Sequence, residues 1–409
     1  PYNGSIPIVL NGHFFFFADR ELWRSNGTKA GTVPVTAQIS GAIGYAVLNN
    51  NLYLLKGDSL WRTDGSTAGT GEVASLNSPN DSFTGLVAFK GSLYFQASDP
   101  LHDSELWVSD GTAEGTRLFK DIKTFDTTYP CGIYGEVCTD SNSLPKNFMV
   151  HNNTLYFSAN DGVHGRELWK SDGTPAGTVM VRDLRLGPEG SGPLYLVAVG
   201  NHLLFSAYDE VHGSELWRTD GTHDGTFFLK DLVPGAKSSD ALHLFAAKMN
   251  DELYFTTRSV SSDSAGNLWK TDGTSNGTTV VKYGLNSAYS GIFNTYSYYV
   301  SKSAVLDGRL YSAGYLQDNN GELWVTDGTS SGTYQVKDIL PGVDEYGHPY
   351  SSIPRRFVTN GDFILFGANY EVYTTPEGST RYKAGLFKLE RSTATVIPFL
   401  QLLLPTSGQ

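Results

Sequence analysis

Glu167-Leu-Trp-Lys-Ser-Asp-Gly-Thr174 is one of seven closely similar phrases in this chain. The other six begin at Glu21, Ser59, Glu105, Glu215, Asn267 and Glu322. Every tryptophan of the chain lies in one of these phrases: Trp23, Trp61, Trp107, Trp169, Trp217, Trp269 and Trp324. An eighth, degenerate copy, Gly385-Leu-Phe-Lys-Leu-Glu390, has Phe387 in the tryptophan position and lacks the Asp-Gly pair. A phrase that returns about every 50 residues predicts one structural unit repeated about eight times.

The fourth copy shows what one unit contains. It has four short segments, at residues 148–151, 155–159, 167–170 and 178–183, which alternate apolar and polar residues or carry aromatic and β-branched runs. Gly, Asn and Asp fill the breaks between them and no helical period is present, so the pattern predicts four strands. The Asp-Gly pair is expected to supply the positive φ angles of a tight hairpin between the third and fourth strands.

Four antiparallel strands repeated in this way predict an all-β fold, a β-propeller of about eight four-stranded blades. A seven-bladed propeller with an irregular terminal segment is the main alternative, and a repeat array that does not close is the third. We expect one domain, 1–409, with approximate repeats 1–39, 40–76, 77–123, 124–186, 187–234, 235–284, 285–341 and 342–409. The tryptophans are interpreted as wedges between neighbouring blades, with stacking on sugars as the alternative.

Composition excludes some classes of partner. The net charge of −12 and the scattered Lys and Arg residues form no basic stripe, so nucleic acid is not expected as a partner. No run approaches the roughly 18 apolar residues of a transmembrane helix. The chain begins at Pro1 without a charged and then apolar leader, from which we expect that a signal peptide has been removed.

The two cysteines point to an oxidising compartment, and five sequons are compatible with it. Cys131 and Cys138 are seven residues apart and are expected to form one internal disulfide, with two free or metal-binding thiols as the alternative. Asn-x-Ser/Thr sequons make five asparagines candidates for glycosylation: Asn3, Asn26, Asn80, Asn152 and Asn276. Their number is about what chance predicts, so they permit rather than require a secreted or cell-surface location.

The repeated phrase resembles that of the secreted, mostly bacterial proteins named for the ELWxxDGT repeat. Residues 155–174, Leu-Tyr-Phe-Ser-Ala-Asn-Asp-Gly-Val-His-Gly-Arg-Glu-Leu-Trp-Lys-Ser-Asp-Gly-Thr, are similar to a full copy of that unit. The departures are Asn26 for Asp, Ser59 and Asn267 for the leading Glu, and the degenerate eighth copy. The resemblance covers nearly the whole chain and implies export, but it implies no defined activity. The turn also resembles the Asp-box of sialidase-like propellers, although no arginine cluster for a sialic acid is recognisable.

Loop length indicates which end of the propeller carries function. The links from second to third strand and from blade to blade share one face, and they hold nearly all the length variation. Binding residues usually lie on variable loops of a rigid scaffold, so we expect function on this face. Tyrosines of these loops are candidate ligand contacts, with mutual packing as the alternative: Tyr129, Tyr134, Tyr289, Tyr315, Tyr346, Tyr350, Tyr370, Tyr373 and Tyr382.

An Asp-x-x-His pattern recurs in three successive loops on this face. It comprises Asp99 and His102, Asp161 and His164, and Asp209 and His212. Imidazole and carboxylate are ordinary ligands of divalent metals, so convergence on one cation is one interpretation. Equivalent loops of adjacent blades lie farther apart than ligands that each sit about 2 Å from one metal, which favours a local hydrogen bond instead. No cofactor is otherwise predicted.

No catalytic phrase such as His-Glu-x-x-His or Gly-x-Ser-x-Gly occurs in the chain. From the sequence we therefore expect a non-enzymatic extracellular binding or adhesion module that presents its loop-rich face to a glycan or a protein. One alternative is a structural subunit of an extracellular assembly, formed by self-association. The other is a carbohydrate-active enzyme with paired carboxylates in the central funnel.

Overall fold

The described residues form eight four-stranded antiparallel sheets, with the strands of each sheet in chain order, and one two-stranded ribbon. The computed structural model describes residues 8–18, 21–36, 39, 41–42, 44–76, 85–99, 102, 104–124, 127–130, 137–140, 142–235, 238–239, 241–242, 246–257, 266–285, 303–315, 321–359, 361–374, 380–391 and 396–398. Within these residues every regular element is a strand, and none is a helix that could cross a membrane. The predicted eight-bladed β-propeller is confirmed.

The chain divides into two compact units, of which the first comprises Gly4–Gly213 and Trp217–Phe228. It holds blades 1 to 4 and most of blade 5. Blade 1 is β1 (Ile8–Leu10), β2 (His13–Ala18), β3 (Glu21–Ser25) and β4 (Val33–Thr36); blade 2 is β5 (Gly44–Leu48), β6 (Asn51–Lys56), β7 (Ser59–Thr63) and β8 (Gly71–Ser75); blade 3 is β9 (Leu86–Phe89), β10 (Ser92–Ala97), β11 (Glu105–Ser109) and β12 (Arg117–Lys120). A separate ribbon, β13 (Thr127–Pro130) and β14 (Val137–Asp140), precedes blade 4, which is β15 (Lys146–His151), β16 (Thr154–Asn160), β17 (Arg166–Ser171) and β18 (Val179–Arg182).

The second unit comprises Pro1–Asn3, Ser214–Leu216 and Leu229–Gln409. Blade 5 is β19 (Leu194–Val199), β20 (His202–Asp209), β21 (Gly213–Thr219) and β22 (Phe227–Lys230). The second unit holds three further blades. Blade 6 is β23 (Ala246–Met249), β24 (Glu252–Thr256), β25 (Leu268–Thr271) and β26 (Thr279–Lys282); blade 7 is β27 (Ser303–Leu306), β28 (Arg309–Tyr315), β29 (Gly321–Thr326) and β30 (Tyr334–Lys337); blade 8 is β31 (Arg355–Thr359), β32 (Phe363–Thr374), β33 (Thr380–Glu390) and β34 (Val396–Pro398).

A bulge at the Leu-Trp step recurs in the pairing of third and fourth strands. In blade 4, Leu168 pairs with Arg182 but Trp169 pairs with Met180, which leaves Val181 as the extra residue. The same shift occurs in blades 1, 2, 3, 6 and 7. A bulge turns the extra side chain, and here Val181 is buried beside Leu168 in a cluster shared with blade 5.

The tryptophans fill the space between blades. Trp169 is 7% exposed and packs with Phe89 and Leu106 of blade 3 and with Phe157 of its own blade. Trp107, Trp217 and Trp324 occupy equivalent clusters, each built from two successive blades of one unit. The leucine of the phrase therefore packs against the next blade, and the tryptophan beside it packs against the preceding blade.

The turn of the phrase is closed by side chains. Asp172 Oδ1 accepts hydrogen bonds from the Thr174 N–H at 2.8 Å and the Thr174 hydroxyl at 2.7 Å. The two bonds from Thr174 hold the pKa of Asp172 below its usual value. The hydroxyl oxygen of Thr174 in turn accepts the Gly177 N–H at 2.9 Å. Only Gly173 has a positive φ, of 92°, so the prediction that Asp and Gly both adopt one was wrong. The connection is a longer loop closed by an Asx turn, because the carboxylate satisfies the backbone donors that a two-residue hairpin would pair.

Five turn glycines lie against a side chain of the preceding blade: Gly65, Gly111, Gly173, Gly221 and Gly328. Gly111 lies against the Tyr53 hydroxyl, and Gly221 lies against the Tyr156 hydroxyl, so closely in both cases that a Cβ atom would collide. Lys170 of blade 4 also donates to the Gly221 carbonyl at 2.7 Å. In these blades the turn therefore joins two blades as well as two strands.

Candidate functional site

The end of each blade where the second strand enters the third also receives the connection to the next blade, and this end is called the loop face. At blade 4 the Asn160 N–H donates to the Ser143 carbonyl at 2.9 Å, which ties the incoming connection to the end of β16. At blade 5 the Tyr208 N–H donates in the same way to Ser191 at 2.8 Å. Side chains of the connections and of the second-to-third strand loops are therefore brought together here.

The first residue of the phrase is a buried carboxylate on the loop face. Glu167 is fully buried, and it accepts the Ser191 hydroxyl at 2.5 Å and the Ser191 N–H at 2.7 Å. Equivalent contacts join three other glutamates to serines in the following connection: Glu105 to Ser143, Glu215 to Ser239, and Glu322 to Ser352. Each glutamate thereby fastens the chain that leads to the next blade. This role was not predicted from the sequence, although the repeated leading Glu was a signal for it.

Burial changes the acidity of these glutamates. It raises the pKa of Glu105, Glu167 and Glu215 to about 7 in each case, while hydrogen bonds from serine and from backbone N–H groups oppose that rise. The pKa of Glu322 is raised for the same reason. The carboxyl groups of Glu105, Glu167 and Glu215 therefore have pKa values near neutral pH, above that of an exposed glutamate.

Each Asp-x-x-His pattern forms a closed local pair. Asp161 accepts the His164 backbone N–H at 2.8 Å, and its other oxygen lies 2.7 Å from His164 Nδ1, a contact that raises the pKa of His164. Asp99 with His102 and Asp209 with His212 repeat this arrangement. In the part of the chain that the structure describes, no three His, Cys, Asp or Glu side chains come together as metal ligands. The geometry assigns these six residues to loop closure.

The predicted tyrosine contacts are dispersed. Tyr346 is 77% exposed, whereas Tyr350 is half-buried against Gly342. Tyr370, Tyr373 and Tyr382 are exposed on the long hairpin of β32 and β33. The remaining tyrosine predictions fall on side chains outside the described residues: Tyr129, Tyr134, Tyr289 and Tyr315.

The predicted modification sites are described in part. Asn26, Asn152 and Asn276 are exposed in turns, and Asn26 takes the place of Asp by accepting the Thr28 N–H and hydroxyl. Asn3, Asn80, Cys131 and the side chain of Cys138 lie outside the described residues, so the disulfide stays a prediction.

Exposed apolar side chains occupy the loop face of blades 4 and 5. Val163 is 51% exposed, Leu186 88%, Tyr208 38% and Val211 70%, and these four are called the apolar loop residues. The guanidinium of Arg185 lies 4.9 Å from the Tyr208 ring and contacts Glu210, so the connection that carries Leu186 is held beside the loop that carries Val211. Exposed apolar side chains on neighbouring loops are typical of a surface that binds another molecule.

Comparison with known proteins gives matches among solved structures alone. No protein-family model and no curated protein matches the chain. Puromycin hydrolase matches at 13% identity and a TM-score of 0.42 over 88% of this chain and 53% of its own. Prolyl oligopeptidase B from Galerina marginata matches at 12% identity and a TM-score of 0.45 over 95% and 56%. The tricorn protease matches at 10% identity and a TM-score of 0.35 over 99% and 41%.

These matches contradict two expectations drawn from the sequence. The matched chains are named as peptidases or hydrolases, which contradicts the expectation of a non-enzymatic binding or adhesion module and the expectation that the chain is more likely not an enzyme. At 10% to 12% identity the likeness shows the fold alone and establishes no activity for this chain. The chain spans about half the length of the first solved chains that it matches, with coverage of 53% to 56%.

Proposed function

We propose that this propeller is the substrate-holding part of a peptide hydrolase. The observation that supports the proposal is the set of apolar loop residues on blades 4 and 5, above all Leu186 at 88% exposure. A peptide buries apolar side chains when it binds, and each fully buried leucine or valine contributes about 1.5 to 3 kcal/mol. Peptides are the first class of ligand to test because the solved chains reported above are peptidases.

The test removes the apolar surface without disturbing the core. The variant Leu186→Ser with Val211→Ser alters two exposed side chains, so it should fold normally and bind a fluorescein-labelled apolar decapeptide at least fivefold more weakly, by fluorescence anisotropy. Val179→Ser, in the outer strand β18 and 41% exposed, is the matched control and should bind like the unaltered protein. Mass spectrometry of the same mixtures measures whether the peptide is cleaved.

Two results would contradict the proposal. One is the absence of saturable binding of any apolar peptide to the unaltered protein. The other is a double variant that binds the peptide as tightly as the Val179→Ser control does. Loss of binding in the control as well would show that the effect does not depend on the loop face.

A further inference from the structure

Blade 4 carries two cationic side chains at one place on its loop face. Arg166 begins β17, and its Nη1 donates to the Leu144 carbonyl at 2.8 Å and the Ser158 carbonyl at 3.1 Å. Lys146 begins β15 and is the cross-strand partner of Ser158. The Ser158 hydroxyl lies 3.4 Å from Arg166 Nη1 and 3.4 Å from the Lys146 carbonyl oxygen, so both residues adjoin the same residue of β16.

Neither cation has an acidic partner. In the described residues no carboxylate lies within 4 Å of the Lys146 ammonium or the Arg166 guanidinium, and the bonds of Arg166 go to carbonyl and hydroxyl oxygens. Burial, and then the charge of Arg166, lowers the pKa of Lys146, and burial lowers the pKa of Arg166 to about 10. Two half-buried like charges destabilise each other, so this arrangement costs free energy in the unliganded protein.

The fold itself does not require this pair. Blade 5 repeats the local backbone, because β15 and β19 carry the same shift in register at their first residues. There Leu194 pairs with Ser206 as Lys146 pairs with Ser158, and Ser214 precedes the buried glutamate as Arg166 does in blade 4. Blade 8 has Arg355 in the position of Lys146 but Ala384 in the position of Arg166, so the pair of charges distinguishes blade 4 from blades 5 and 8.

We propose that Lys146 and Arg166 bind a carboxylate. The Lys146 ammonium and the Nε–H of Arg166 have no acceptor among the described residues, and a guanidinium and an ammonium together suit a planar oxyanion. The carboxylate belongs either to the C-terminus of a peptide or to a free small acid. The argument for a carboxylate site depends only on the charges of Lys146 and Arg166. The suggestion that a peptide supplies the carboxylate rests on the proposed function.

The test compares an acid with its neutral amide. N-acetyl-Ala-Leu-Ala with a free carboxylate should bind the full chain about tenfold more tightly than the same tripeptide amide, by ligand-observed NMR titration. Acetate serves as the second probe: affinity equal to that of the tripeptide identifies a free small acid as the ligand, and much weaker affinity identifies a peptide C-terminus.

Variants with the blade 5 residues at these two positions test whether the preference for the acid depends on Lys146 and Arg166. Lys146→Leu should remove most of the preference for the acid and leave binding of the amide unchanged. Arg166→Ser should have the same effect, and a melting curve measures whether that variant still folds without the carbonyl contacts of Arg166. Lys29→Leu, which removes one exposed charge from blade 1, is the control and should keep the preference.

The proposal would be overturned by equal binding of acid and amide to the unaltered protein, or by a preference for the acid that survives Lys146→Leu. Tighter binding of inorganic phosphate than of either carboxylate would overturn it as well. Failure of the proposed function is distinguishable, because the Leu186 and Val211 double variant would then bind the amide as well as the unaltered protein does.

Discussion

Replacement of Glu105 by Gln should change how the stability of the protein depends on pH. Glu105 is 1% exposed, and its carboxylate accepts the Ser143 hydroxyl at 2.6 Å and the Ile122 N–H at 2.8 Å. Burial raises its pKa from 4.5 to about 7, and the charge of Asp121 adds to that rise. Because the folded-state pKa is the higher one, the stabilisation is fully present below pH ~4.5 and is lost as the pH rises through ~7.

The size of the effect follows from the two pKa values. The interval from 4.5 to about 7 corresponds to about 3 kcal/mol, which the unaltered protein loses between acidic and mildly alkaline solution. Gln does not titrate but keeps one oxygen to accept from the same donors. The stability of Glu105→Gln relative to the unaltered protein should therefore be about 3 kcal/mol higher at pH 8.5 than at pH 4.5.

Urea unfolding at the two pH values measures this difference. Glu72→Gln is the matched control, because Glu72 is exposed on β8 and also accepts a serine hydroxyl, from Ser59 at 2.8 Å. Its relative stability should change little between the two conditions. An equal effect of Glu105→Gln at both pH values would show that the buried carboxyl does not titrate in this interval, and the reasoning would be refuted.

Three further changes test the fold and the local pairs. Trp169→Ala opens a cavity between two blades and should cost about 3 to 5 kcal/mol in a thermal melt, so an unaltered melting curve would remove its role as a wedge. Asp172→Ala removes the acceptor of the two Thr174 donors and should lower the melting temperature, whereas Asp172→Asn should be nearly neutral because Asn26 already makes the same bonds in blade 1. Asp161→Asn should lower the raised pKa of His164 toward 6.5, as measured by NMR titration. It should also reduce the stabilisation that the pair contributes at low pH and loses as the pH rises. An unchanged pKa would contradict the pairing.

The blades could be predicted from the sequence because their determinants are local. Trp169 and the Asp172 turn lie within one short phrase, and the strand order within a blade is the simplest that short links allow. The pair of Asp161 and His164 was predictable for the same reason, since three residues separate the partners.

The loop-face contacts were not predictable because their spacing varies. Glu105 meets Ser143 across 38 residues, whereas Glu167 meets Ser191 across 24. The connections differ in length, so no fixed interval in the sequence marks these partners. Lys146 and Arg166 both lie beside β16 only because of the register of β15, β16 and β17, which the sequence does not reveal. The expectation of a non-enzymatic module therefore took no account of this pair or of the glutamate–serine contacts.

The contacts between turn glycines and the preceding blade have a consequence for folding during synthesis. Gly111 rests on Tyr53 and Gly221 rests on Tyr156, and in both pairs the aromatic residue belongs to the earlier blade. During synthesis on the ribosome the receiving surface therefore emerges first, and each new turn meets a neighbour that has already left the exit tunnel. Construction can proceed in the direction of translation, one blade docking on the last, without waiting for the carboxyl end of the chain.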